Sequence, residues 1–276
     1  MVSDRFEYSP QESIHFRISG SGPRHILLLH GFGASLRTWD DLLPLFSPQE
    51  YTLHLLDLKG HGASAQDLRG DFSVAQNSRI ASAYIRSRGI DSISIIGHSL
   101  GGAVAMLAAL ELPQVERLIL IGAPLYPQKL PRFMHILSIP LLGPLLMMMA
   151  PARLIARRAL QHAFYRKERI TDRQIRRYAI FYHSPASLRA LGCTARQIIP
   201  HDIGRIIQRV ETLILPALLI WGEHDRIVAP RQGEKLQALL KNSRLVVIPD
   251  CGHNPHEERS QETFNLIRDF LHDVIK

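Results

Sequence analysis

The sequence predicts an α/β chain: a mostly parallel sheet flanked by helices, with a helical cap inserted into the core. Three observations predict it. Short apolar runs alternate with stretches of helical period. The alternation breaks once, over residues 124–200, where the composition changes as well. The third apolar run leads directly into Gly97-His98-Ser99-Leu100-Gly101-Gly102, which reads as a strand, a tight turn and a helix start. At 276 residues, 46% hydrophobic and 21% charged, the chain can bury a large core, and its composition excludes collagen, coiled coil and general disorder.

In chain order, residues 7–9 and 14–18 form an opening hairpin, followed by the turn residues Gly20-Ser21-Gly22-Pro23. Apolar runs follow at 26–29, 53–56, 93–96, 118–121, 215–221 and 245–248. They are rich in Leu, Ile and Val, as strands buried on both faces are. His54 and Ser94 interrupt two of them, and Pro216 belongs at a strand's start. Helical periods at 36–46, 74–88, 100–110, 231–240 and 258–275 fill the intervals.

Residues 124–200 are expected to form the cap on a core domain made of 1–123 and 201–276. The insert carries 13 Lys or Arg against Glu168 and Asp172, a balance of +11, whereas the rest has 20 basic and 23 acidic residues, or −3. Its stretch 133–150 is uncharged and contains Pro140, Gly143 and Pro144. The prolines and the short length argue for an amphipathic lid with its apolar side on the core, not for a membrane span. Met147, Met148 and Met149 are expected to fill the cap interface in preference to lining a pocket.

Two cysteines, Cys193 and Cys251, cannot build a disulfide scaffold or a four-cysteine zinc module, and they read as free thiols in a reducing compartment. No secretory signal is legible at the N-terminus, so the expected location is cytoplasmic. The formal charge of +8 permits an anionic partner, but the arginines are not interleaved with a nucleic-acid reading motif, so no nucleic acid is expected. No dinucleotide or P-loop spacing is complete, and neither cofactor nor metal is expected.

The segment Gly97-His98-Ser99-Leu100-Gly101 fits the Gly-x-Ser-x-Gly nucleophile elbow in its required strand and helix context. Serine needs a base to become a nucleophile at neutral pH, and the base needs an orienting acid. With 14 histidines, abundance identifies none of them. Position favours Asp225 and His253, because each follows an apolar run and so lies at the carboxyl end of a strand, as Ser99 does. Glu223 and Asp250 compete for the acid's role and His256 for the base's. His30-Gly31-Phe32-Gly33 follows the first buried strand, and the amides of Phe32 and Leu100 are the candidate oxyanion donors.

These segments, with Asp57-x-x-Gly60-His61-Gly62-x-Ser64, Gly222-x-x-Asp225 and Gly252-His253-x-Pro255 followed by Glu258, Phe264 and Asn265, resemble the α/β-hydrolase fold superfamily, in particular its capped bacterial serine hydrolases. The resemblance covers nearly the whole chain outside the cap. Lys59 and Ser260 depart from its usual pattern without touching the proposed chemistry. Epoxide hydrolases and haloalkane dehalogenases of similar appearance use Asp where this chain has Ser99.

The resemblance implies a carboxylesterase that cleaves a small organic ester, partly apolar, through an acyl-enzyme. Alternatives are thioester, amide or perhydrolase chemistry, a meta-cleavage product hydrolase cutting a carbon-carbon bond, or a non-catalytic binding protein. The carbon-carbon group often has Asn before the nucleophile and Trp after the histidine, where this chain has His98 and Asn254. Its cap does resemble residues 170–178, which places Arg177 as the candidate contact to an acidic group on the substrate. Most other cap arginines are expected to face solvent. The oligomeric state is open.

Overall fold

The computed structural model describes residues 2–10, 12–64, 70–182 and 184–273, Arg132 by its backbone alone. Among the described residues there are eight strands: β1 (Val2–Ser9), β2 (Glu12–Ser19), β3 (Arg24–Leu29), β4 (Tyr51–Leu56), β5 (Ile93–His98), β6 (Val115–Ile121), β7 (Ala217–Gly222) and β8 (Ser243–Ile248). Among the described residues they form one sheet in the order β1-β2-β4-β3-β5-β6-β7-β8, antiparallel at β1/β2 and β2/β4 and parallel elsewhere. The central strands are buried along nearly their whole length, which explains their continuous Leu, Ile and Val. His54, the polar interruption in β4, hydrogen bonds Tyr84 and His25. Burial, with His25 alongside, lowers its pKa to about 4, so it lies neutral in the sheet.

The helices of the first half are α1 (Val74–Ser87) and α2 (Leu100–Glu111). Residues 36–46 are not one α-helix as expected but two 3-10 helices, Leu36–Asp41 and Leu43–Leu45. Pro44 lacks the amide an α-helix needs and disfavours helical geometry at Leu43. Pro216 precedes β7.

Between β6 and β7 the chain leaves the sheet for α3 (Arg132–Ser138), α4 (Leu142–Met148), α5 (Ala152–Ala163), α6 (Asp172–Ala179), α7 (Pro185–Gln197) and α8 (Ile203–Glu211). Helix α8 was not anticipated, although Ile203, Ile206, Ile207 and Val210 recur at helical spacing. After β7 come α9 (Pro230–Leu239), α10 (Pro255–Glu258) and α11 (Ser260–His272). The expected last helix thus breaks at Arg259, and the end given to it, Ile275, lies outside the described residues.

Strand alternation divides the core. Leu27, Leu29, Ile95 and Leu120 face α1 and α2, with Trp221 of the same cluster against Gly233 of α9, while Ile26, Leu28, Ile96, Ile119 and Ile220 face Trp39 and α11. A separate apolar cluster inside the cap joins Leu137, Leu160, Ile175, Tyr178 and Leu188. The uncharged stretch differs from expectation: Met134, Leu137, Gly143 and Pro144 are buried, but most of its large side chains face outward. Met147 lines a cavity, whereas Met148 and Met149 are exposed. Among the described residues no helix is long and apolar enough to cross a membrane.

Candidate active site

Strand β5 ends at His98, Ser99 takes φ 50° and ψ −118°, and α2 starts at Leu100. A positive φ is costly for serine, and it turns the hydroxyl out of the path of both elements. The Ser99 amide donates to the Ile121 carbonyl at 2.8 Å, which fixes the turn to β6. Two glycines make the packing possible. A Cβ on Gly101 would stand 2.2 Å from the Leu29 carbonyl oxygen, and one on Gly31 would stand 3.1 Å from the Ser99 Cβ. The loop carrying Phe32 therefore lies directly against the elbow. Leu100 opens α2, where backbone amides have no partner within the helix.

Asp225 and His253 come from the loops after β7 and β8. The Asp225 carboxylate accepts from the amides of Ile227 and Val228, both at 2.8 Å, through Oδ1. Its Oδ2 lies 2.7 Å from His253 Nδ1. A carboxylate so placed accepts only, so Nδ1 carries the hydrogen, and in the neutral ring the lone pair is on Nε2. Ser99, His253, Phe32 and Leu100 all line one cavity of about 480 Å³ between core and cap. Its walls are mostly apolar, with Leu107, Met134, Leu137, Met147, Leu160 and Ile206 among them.

The competing residues lie elsewhere. Glu223 and Asp250 are bonded to one another through the Asp250 amide, and Asp250 pairs with Arg166. His256 is buried and hydrogen bonds Thr38; burial and neighbouring His253 push its pKa down to about 3.

Arg177 lies apart from the cavity. Its guanidinium is buried and bonded to both oxygens of Asp41 at 2.8 and 2.6 Å, with Asp40 at 3.6 Å. It is absent from the cavity wall and joins α6 to the first 3-10 helix. Burial pushes the Asp41 pKa up, but the bond and charge of Arg177 outweigh it and hold the carboxyl below its ordinary value. The exposed Arg158 of α5 does line the cavity.

Several residues here were not singled out by their sequence. His98 Nε2 lies 3.0 Å from the His253 carbonyl; burial keeps the ring neutral, so Nε2 donates and braces the loop. Glu258 accepts from the amides of Gly252, Tyr165 and Arg166, and the His253 amide donates to the Ala163 carbonyl at 2.6 Å. Tyr182 donates to the Gly33 carbonyl at 2.7 Å. Only Glu258 had a signal, as part of the run after His253. Among the described residues no group of three or more His, Cys, Asp or Glu could hold a metal ion, and both cysteines are free and buried.

The model of the alpha/beta hydrolase family matches residues 26–266. The chain belongs to that family. An uncharacterized protein of Mycobacterium tuberculosis is 29% identical to this alpha/beta hydrolase over 267 residues, 93% of this chain and 77% of that one. A 2-hydroxy-6-oxo-6-phenylhexa-2,4-dienoate hydrolase of Burkholderia cepacia is 27% identical over 263 residues, 94% and 91% of the two chains. Among solved structures, an alpha/beta hydrolase fold protein from Burkholderia ambifaria superposes with a TM-score of 0.84 at 22% identity, covering 96% of this hydrolase and 97% of that chain. That likeness shows the fold alone. With the elbow and the buried acid–histidine pair, membership supports serine-hydrolase catalysis.

Proposed function

We propose that the protein hydrolyses a bond next to a carbonyl group in a substrate with a sizeable apolar part, through an acyl-enzyme on Ser99. The observation that carries this reading is that a serine on a left-handed turn shares one apolar cavity with a histidine whose far nitrogen is held by a buried carboxylate. Residues 124–200 act as the cap over a core of 1–123 and 201–276. His253 Nε2 takes the Ser99 proton as Oγ attacks the carbonyl carbon. Asp225 fixes the tautomer and balances the imidazolium charge. The amides of Phe32 and Leu100 receive the developing oxyanion. His253 then protonates the leaving group, which departs and leaves Ser99 acylated. Water, deprotonated by the same histidine, releases the acid and restores Ser99.

Two bonds fit this sequence of steps. The relatives favour a carbon-carbon bond over the simple ester: four curated proteins at 26–27% identity are hydrolases of 2-hydroxy-6-oxo dienoates, acids of the vinylogous diketo type. The cavity keeps the ester reading in play, because Arg177 is paired with Asp41 and the wall is mostly apolar. On either reading Arg158 replaces Arg177 as the candidate for an acidic group.

Comparing kcat/KM for nitrophenyl esters of graded acyl length with that for a 2-hydroxy-6-oxo dienoate separates the two bonds. Intact-mass detection of an acyl group on Ser99 tests the shared step. Failure of a serine-directed phosphonate to label the folded protein would remove the proposal in favour of a binding role.

A further inference from the structure

We propose that the outward face of α3 and α4 is a docking surface for an anionic lipid bilayer. Residues 133–150 contain no Asp, Glu, Lys or Arg. The two helices are held to the cap by one side only, with Met134, Leu137, Gly143 and Pro144 buried. On the other side Leu141 and Met149 are each 79% exposed and Leu145 is 57% exposed, with Ile136, Leu142 and Leu146 beside them in sequence and exposed as well. Single exposed leucines are ordinary, but a run of them on one short helical hairpin marks an interaction site.

The turn between the helices strengthens the point. Leu141 sits at φ 62°, a region that favours glycine. A strained position at an exposed turn of the hairpin is therefore filled by a large apolar side chain.

Charge selects the occupant. The insert's balance of +11 includes the buried Arg177, but exposed cations stay near the uncharged face: Arg153 and Arg157 follow it on α5, sharing the single carboxylate of Asp172 with Arg176, and Arg196 bonds the Ser138 carbonyl at the end of α3. The insert's two acids are engaged, Asp172 with Arg153 and Arg176, and Glu168 with Arg166. A second copy of the chain meeting this face symmetrically would bring the same arginines together, which like-charge repulsion opposes. A bilayer with anionic headgroups satisfies both features, apolar side chains entering the acyl boundary and arginines meeting the headgroups. Helices of seven residues cannot span it, so the contact is peripheral. Phe133, Leu137 and Met147 on the same hairpin line the Ser99 cavity, so a docked cap would face its opening toward lipid. That last link rests on the function proposed above, whereas the docking does not.

Vesicle flotation tests the docking without turnover. Wild-type protein is mixed with vesicles of phosphatidylcholine alone, or of phosphatidylcholine and phosphatidylglycerol in equal parts. Binding is expected to be about tenfold or more stronger on the anionic vesicles and to weaken in high salt. The triple variant Leu141→Ser, Leu145→Ser, Met149→Ser removes side chains that do not line the cavity. It should keep its melting temperature and its turnover of a short water-soluble substrate while losing tenfold or more in vesicle binding. No binding by wild type, equal binding to both vesicles, or undiminished binding by the triple variant would overturn the proposal. A concentration-dependent dimer abolished by the same three substitutions would also overturn it, in favour of self-association. Ser99→Ala should bind vesicles as wild type does, so loss of the hydrolase reading and loss of docking give different results.

Discussion

Replacing Arg177 by Met leaves Asp41 without its bidentate partner and Glu257 without the guanidinium 3.9 Å away, while Asp40 keeps its bond to Arg17. Removing one member of a fully buried ion pair costs about 3–5 kcal/mol. The Arg177 side chain is 1% exposed but Asp41 is 26% exposed, so water can take up part of the loss. The expected cost is therefore about 2–3 kcal/mol. For a chain of this size, with roughly 2 °C per kcal/mol, that is a fall of about 4–6 °C in melting temperature.

The sign with pH follows from the lowered pKa of Asp41. Its contribution is present above the unfolded carboxylate pKa and disappears as pH falls through the folded value. The gap between wild type and Arg177→Met should thus narrow in acid. Urea melts across that range, with Asp41→Asn and the double variant completing a cycle, measure the coupling. A cost below about 1 kcal/mol, combined with a raised KM for acidic substrates alone, would refute the structural role and return Arg177 to the substrate.

Ser99→Ala should lower kcat/KM by several powers of ten and abolish phosphonate labelling, with the urea midpoint nearly unchanged. Asp225→Asn should lower kcat on the order of 10³–10⁴-fold with a small change in KM, because charge and tautomer control act in the transition state. Burial raises the Glu257 pKa to about 7, against the opposing bonds from Tyr178 and Asn254. The folded state then holds a proton the unfolded chain has released, so stability from this group is full below about pH 4.5 and is lost as pH rises through 7. Glu257→Gln should remove that slope, worth roughly 2–4 kcal/mol, from denaturation midpoints compared across pH 4.5–8.

The central strands were legible because burial on both faces leaves few polar residues, His54 and Ser94 among them, to confuse the pattern. Strand β1 was seen only at its end, since it is a mostly exposed edge whose residues need no alternation. The stretch 36–46 misled because its apolar spacing is helical while Pro44 forbids the α geometry. The elbow was readable because its constraint is local: strand, turn and helix meet within a few residues. Asp225 and His253 could be placed only at strand ends, since the contact between them is set by β7 lying next to β8. The Arg177–Asp41 pair spans 136 residues. Composition shows a basic cap but says nothing about which arginine finds an acid in the core. His98 likewise reads as the variable position of a motif until its ring is seen against the His253 carbonyl.

The bonds from Ala163, Tyr165 and Arg166 to the His253 loop and Glu258 have a mechanical consequence. The end of α5 and the segment after it share their hydrogen bonds with the loop that holds the imidazole, so a cap that swung away as one rigid leaf would carry the imidazole with it and part it from the serine. Admission of a bulky molecule and retention of the base's aim are compatible only if the motion happens at the far rim, where α3 and α4 rest on α7. The anchored end works as a fixed post and the hairpin as the movable edge. Stiffening that edge, for instance by tethering α4 to α7, should slow entry of large substrates while sparing small ones.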